Sequence, residues 1–374
     1  MPHLKVAGKL DPAAVPPHPL AEGSAPICQN CGGLLATAWR TGGQLCSQCG
    51  LNDELFRPET RWMDGGGPAN RRPSTGEKAP GENSAPPHSA RLAMLRLGLK
   101  ALAAVAPAAA EERGARMFFT PRRTPRWRAP AISTLAATSL RFSIGGQEMA
   151  CWCWGRGPTV ILIHGWEGYA AQLTHFVAPL VDAGFRVVTF DMPAHGGSTG
   201  QQISVFDMSR AIQAVAEVFS PTRAVIAHSL GGAASILALS EGLKVDRVVL
   251  LAPAAEPRHF ARVLARMLGF SKTRTDGMLK RIENRLGMRF EDASTLRVVP
   301  KMNVPVLVMH DPHDAEVPFE HGKSIAQAWP GARLEQLNEM GHRRMLRNPN
   351  TIRRVTAFVA GRDSRSGTST SWWA

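Results

Sequence analysis

The sequence predicts an α/β protein, with a mostly parallel central sheet and helices on both of its faces. Three observations carry that expectation. From about residue 140, short runs rich in Val, Ile and Leu alternate with stretches whose apolar residues recur near 3.6. The runs are nearly continuously apolar, which marks strands buried on both faces and therefore parallel pairing. The chain of 374 residues is long enough to bury one large core together with appended pieces.

Residues 1–25 are Pro-rich, read as disordered, and lack the charged-then-apolar order of a secretory signal. Two CxxC pairs follow, Cys28-Gln29-Asn30-Cys31 and Cys46-Ser47-Gln48-Cys49, separated by fourteen residues. Each pair makes a tight turn that aims two thiolates at one metal, and the spacing is that of a four-cysteine site. Residues 26–57 resemble a zinc ribbon, which implies a structural zinc ion on Cys28, Cys31, Cys46 and Cys49. Arg40 and Arg57 are matched there by Asp53 and Glu54, so no basic excess faces a phosphate backbone. Stabilisation, or docking of a protein partner, is the expected role. Residues 58–90, dominated by Gly, Pro, Ser and Asn, read as a flexible linker.

Residues 91–130 read as a helix and a basic arm. Arg91 to Ala110 has the helical period, with Leu92, Leu95, Leu99, Leu102 and Val105 on roughly one face. Such a face ordinarily packs on its own domain; Arg96 and Lys100 beside it would also suit a surface anchor. Met94 could serve as an alternative start, which would leave residues 1–93 outside the native protein. Arg113 to Pro130 interleaves Phe118, Phe119 and Trp127 with arginines and prolines, and reads as an extended arm. Residues 91–130 carry nine Lys/Arg against two Asp/Glu, whereas the first ninety residues balance eight against eight. Arginines mixed with aromatics can hold single-stranded nucleic acid. Charge this unevenly spread argues against it, and fits solubility or attraction to anionic surfaces better. No run of about 18 uninterrupted apolar residues exists, so no transmembrane helix is expected. Of six cysteines, four form the CxxC pairs and two stand in Cys151-Trp152-Cys153, which fits a reduced, cytoplasmic location.

Residues 131–360 form the main domain. Arg141–Ile144, Gly145-Gly146 and Glu148–Trp154 read as a β-hairpin, with Cys151 and Cys153 as packing residues on one face. The strands expected after it are Thr159–His164, Arg186–Asp191, Ala224–His228, Arg247–Ala252, Val304–His310 and Arg333–Leu337. Residues 256–303 break the rhythm, read as helices, and are expected to cap the carboxyl ends of the strands, where such sheets place their sites. Residues 361–374 read as a loose tail.

Ala227-His228-Ser229-Leu230-Gly231 ends an apolar run and opens an alanine-rich helical pattern. A serine on such a strained turn needs small residues two before and two after it. His164-Gly165-Trp166 and Asp191-Met192-Pro193-Ala194-His195-Gly196-Gly197-Ser198 precede it in the chain. Asp311-Pro312-His313-Asp314 and Gly341-His342 follow it. In this order the motifs resemble the α/β-hydrolase family over residues 140–360, with Ala227 and Ala194 where glycine is usual. The resemblance implies Ser229 as nucleophile, His342 as general base and Asp314 as the acid that orients it. It implies an oxyanion site from the backbone N–H groups of Trp166 and Leu230. Glu256 and Asp311 are the rival acids, while His164, His195 and His228 read as hydrogen-bonding scaffold for the turns.

A serine at that position implies acyl transfer from a carboxylic ester or thioester, with no catalytic cofactor. The positively charged insert, eleven Lys/Arg against five Asp/Glu, could favour acidic acyl groups. Two alternatives stay open: an acyltransferase on the same triad, and a hydrolase-shaped docking protein acting through its zinc ribbon.

Overall fold

The computed structural model describes residues 35–37, 44–46, 88–123, 137–144 and 146–362. The expectations for residues 1–25, for most of the linker, for Arg126 to Pro130 and for the end of the tail lie outside the described residues, as do Cys28, Cys31 and Cys49. A short antiparallel pair comes first, β1 (Leu35–Thr37) and β2 (Gln44–Cys46), with Cys46 opposite Leu35.

The single helix expected over Arg91 to Ala110 is two helices, α1 (His88–Val105) and α2 (Pro107–Phe118). The break is Pro107, which lacks an N–H and biases Ala106 away from helical ψ; Ala106 lies at φ −141° and ψ 73°. Arg113 and Arg116 therefore belong to a helix and not to an extended arm. Val105 is 83% exposed, so it does not share the packed face of Leu95 and Leu99. Phe118 and Phe119 meet edge to face at 5.3 Å within an apolar cluster, and Phe118 also meets Phe290. Rings committed to that cluster are not free to stack on bases.

The main sheet has eight strands in the order β10-β9-β8-β7-β5-β6-β4-β3. They are β3 (Thr138–Ile144), β4 (Gln147–Trp154), β5 (Thr159–Ile163), β6 (Arg186–Phe190), β7 (Thr222–His228), β8 (Arg247–Leu251), β9 (Val306–His310) and β10 (Arg333–Gln336). All neighbours pair in parallel except the hairpin β3–β4, which joins β6 antiparallel at one edge. The expected strands are all present, with ends displaced by one to three residues.

Alternation along each strand divides the core into two layers. Ile161, Ile163, Val188, Phe190, Val225, Ala227 and Leu250 face one side, with α4 (Val205–Val218), α5 (Leu230–Ser240) and α8 (Phe319–Ala328). Val160, Leu162, Val187, Ala224, Ile226, Val249 and Leu251 face the other. There they meet the 3-10 turn Ala170–Phe176, α3 (Val177–Asp182) and α10 (Pro349–Ala360). Cys151 and Cys153 lie buried in the sheet, and burial pushes the Cys153 thiol up to about 11 and the Cys151 thiol well above its ordinary value. They are packing residues.

A third, separate core lies in the cap. The insert supplies α6 (Pro257–Met267) and α7 (Lys272–Leu286), and α1 and α2 pack on them through Leu99, Ala115, Phe119, Ala265, Met278 and Ile282. Glu111 of α2 takes Arg274 at 2.8 Å and Arg281 at 3.4 Å, and Glu112 pairs with Arg281 and Arg285. Gly277 makes room for this contact, since a Cβ there would stand 2.3 Å from the Glu111 carboxyl carbon. The cap is thus assembled from two stretches more than a hundred residues apart in the chain.

Candidate active site

The site starts at the end of β7. Ser229 stands between β7 and α5 with φ 55° and ψ −123°, the strained left-handed backbone that a sharp strand-to-helix turn imposes. The turn is pinned to its neighbours: Ser229 N–H donates to Leu251 O, and Ser229 O accepts from Gly232 and Ala254. Gly231 is forced by packing, because a Cβ there would lie 2.5 Å from His164 O. Ser229 is 9% exposed. Leu230 contributes the first N–H of α5, which a helix leaves without an internal acceptor and with positive dipole behind it.

His342 opens the short helix α9 (Gly341–Arg344) after β10. Its Nδ1 lies 2.7 Å from Asp314 Oδ2, and both side chains are buried. Its backbone O accepts from His228 Nε2 at 2.9 Å, and the two imidazoles pack 4.5 Å apart. His342 is thereby held against the residue that precedes Ser229. Nδ1 carries the proton donated to the carboxylate, which leaves Nε2 free to accept one. Among the described residues, no hydrogen bond joins Nε2 to Ser229 Oγ. Contacts of this kind commonly tighten only when substrate is bound.

Asp314 would be raised by burial, but hydrogen bonds from His310, His342 and the Val317 N–H outweigh that and hold its carboxyl well below the carboxylate range. His310, legible in the sequence only as a strand end, also meets this acid. Its Nε2 lies 3.0 Å from Val317 O and 3.3 Å from the same Asp314 oxygen that meets His342. Its position four residues before Asp314, at the end of a strand, was the available signal.

The rival acids have other tasks. Asp311 accepts from the N–H groups of His313 at 2.7 Å, Gly341 at 2.6 Å and Met340, so it anchors the loop that presents His342. Glu256 accepts from Ser294 Oγ inside the cap root.

The turn after β5 closes the other side. Gly165 abuts the serine, and a Cβ on it would lie 2.7 Å from Ser229 Cβ. Trp166 follows, so its N–H belongs to the turn that lies against Ser229. His164 donates through Nδ1 to Gly165 O at 2.7 Å and accepts through Nε2 from Met192 N–H at 3.0 Å. His195 accepts from Glu167 N–H at 3.1 Å. Burial lowers His164 to about 4; burial, and then the His164 charge, lower His195 to about 3. Both are neutral braces at physiological pH. Ala194 has φ 65°, which explains why glycine is usual in that motif.

A family model described as "Alpha/beta hydrolase family" matches residues 160–354. The chain is similar to the pimeloyl-[acyl-carrier protein] methyl ester esterase of Aromatoleum aromaticum, 27% identical over 241 residues, 51% of this chain and 94% of that protein. It is also similar to the AB hydrolase superfamily protein YisY of Bacillus subtilis, 22% identical over 232 residues, 50% of this chain and 86% of that protein. Among solved structures, an esterase from Exiguobacterium antarcticum has 17% identity and a TM-score of 0.47, covering 58% of this chain and 97% of that chain.

Proposed function

The chain belongs to the alpha/beta hydrolase family, and on that premise we propose that it hydrolyses carboxylic esters or thioesters through an acyl-enzyme on Ser229. The observation that carries the reading is the buried 2.7 Å contact between Asp314 and His342, beside the strand end that bears Ser229. The esterase named among its relatives supports the substrate class.

In the proposed reaction His342 Nε2 takes the Ser229 proton as Oγ attacks the acyl carbon. The carbonyl oxygen becomes an oxyanion, held by the N–H groups of Leu230 and Trp166. Asp314 keeps Nδ1 protonated and stabilises the imidazolium. The tetrahedral intermediate collapses, the bond to the leaving alcohol or thiol breaks, and His342 returns the proton to it. Water then repeats the sequence on the acyl-enzyme and releases the acid. The test is turnover of p-nitrophenyl esters and acyl thioesters. Ser229→Ala and His342→Ala should each lower kcat about 10³-fold or more with an unchanged melting temperature. Full turnover in both variants would contradict the assignment.

For the N-terminal segment we propose a structural zinc ion on Cys28, Cys31, Cys46 and Cys49. The pair β1–β2 supports it: it runs from just after the first CxxC pair to the first cysteine of the second, and sets Cys46 opposite Leu35, four residues beyond Cys31. Elemental analysis should find one zinc per full-length chain, lost in Cys28→Ser with Cys46→Ser. Absence of metal from the unsubstituted protein would contradict it.

A further inference from the structure

The turn Gly165–Gly168 has an unusual residue at its third position. Gly168 N–H donates to Gly165 O at 3.1 Å, which makes Trp166 and Glu167 the two central residues. Glu167 has φ 56°, where a turn ordinarily uses glycine or asparagine. A side chain in that region is strained and persists only where its surroundings hold it.

What holds Glu167 comes from another part of the chain. Arg122 lies in the segment after α2, outside the residues that the family model matches. Its backbone N–H and Nε donate to Glu167 Oε1 at 3.1 and 2.9 Å, and Nε and Nη2 donate to Oε2 at 3.1 and 2.8 Å. The guanidinium grips both carboxylate oxygens, a geometry that fixes orientation as well as distance. The segment is fixed on either side, by Ile203 N–H to Phe119 O at 2.9 Å and by Arg123 Nη2 to Gly200 O at 2.6 Å. His195 completes the hold through the Glu167 N–H.

We propose that Arg122 is a positioning residue for the acyl transfer. It clamps Glu167 in the left-handed region, and thereby aims the N–H of the adjacent Trp166 at the oxygen that becomes negative. The proposal rests on the hydrolase reading above. An oxyanion donor works only when set to within a few tenths of an ångström. If the clamp opens, Glu167 relaxes and the peptides of the turn rotate with it. The Arg122 side chain is 79% exposed, so the ion pair adds little to global stability and its loss should leave the fold intact.

The test is steady-state hydrolysis of a p-nitrophenyl ester by the full chain, with the melting temperature measured alongside. Arg122→Gln should lower kcat about tenfold and leave KM within about twofold, the signature of a misplaced transition-state contact. Arg122→Lys, which keeps the charge but not the fork, should fall between. Glu167→Gly removes the carboxylate but tolerates the positive φ; in that background Arg122→Gln should change nothing further. An unchanged kcat in Arg122→Gln would overturn the proposal, as would a rise in KM alone or an equal loss in the Glu167→Gly background. Should Arg122→Gln fold poorly, Arg122→Lys and the Glu167→Gly pair decide by the same criteria. These outcomes leave the hydrolase reading standing. Absence of ester turnover and of fluorophosphonate labelling at Ser229 in the unsubstituted protein would remove both.

Discussion

The sheet and the cap bury apolar surface by different means. In the sheet the strands β4 to β9 each contribute to two continuous layers, and the residues proposed for catalysis sit on loops anchored at strand ends. In the cap four helices enclose a small cluster, and arginine–glutamate pairs tie α2 to α7. One region resists deformation because its interior is packed on both faces; the other is held by contacts that water and salt can reach. The loops that carry Ser229, Asp314 and His342 belong to the first.

The largest difference should appear in catalysis. Asp314→Asn should lower kcat by about 10³-fold or more through loss of the His342 tautomer, with no loss of folding. The cap variant Glu111→Gln should leave kcat within about twofold. Comparable losses in both would erase the division of labour.

Stability should divide the same way. Leu250→Ala, in the sheet, should cost about 2–5 kcal/mol of global stability by chemical denaturation. Leu99→Ala, in the cap, should speed hydrogen exchange in α1 and α2 while the sheet stays protected. A uniform rise in exchange would mean that cap and sheet unfold as one unit.

Acid should act on the sheet domain. Burial lowers His164 to about 4; burial, and then the charge of a neighbouring histidine, lower His195 and His228 to about 3. In the unfolded chain each titrates near about 6.5, so between there and pH 4 the unfolded state binds more protons. The stability these groups contribute is complete above about pH 6.5 and is lost as pH falls towards 3–4. The melting temperature should drop over that range, and His164→Gln should lessen the slope. A flat profile would contradict the neutral-brace reading.

Salt should act on the cap, with the smallest effect. Raising ionic strength should loosen α2 by no more than about 1 kcal/mol in local exchange, and Glu111→Gln should abolish that dependence.

The sequence was legible where one physical rule dominated. Continuous Val, Ile and Leu runs could only be doubly buried strands. The small residues around Ser229 fitted a tight turn as well as an ordinary helix start; the positive φ at Ser229 and the closeness of Gly231 to His164 O show the tight turn. It was less legible where partners lie far apart in the chain. Leu95 and Leu99 announced an apolar face, but nothing local to them indicates α6 and α7 as its partners. Asp311 and Asp314 share a composition and a neighbourhood. Only the fold shows that the first accepts backbone N–H groups while the second meets His342. Arg122 and Glu167, forty-five residues apart, carried no signal beyond charge.

The account rests most heavily on Ser229 as the nucleophile. Reaction of the full chain with a fluorophosphonate, followed by peptide mass mapping, tests this directly. One phosphonyl group should be found on Ser229, and pre-incubation with an ester substrate should slow its attachment. Modification of a different residue, or none at all in the folded protein, would contradict it.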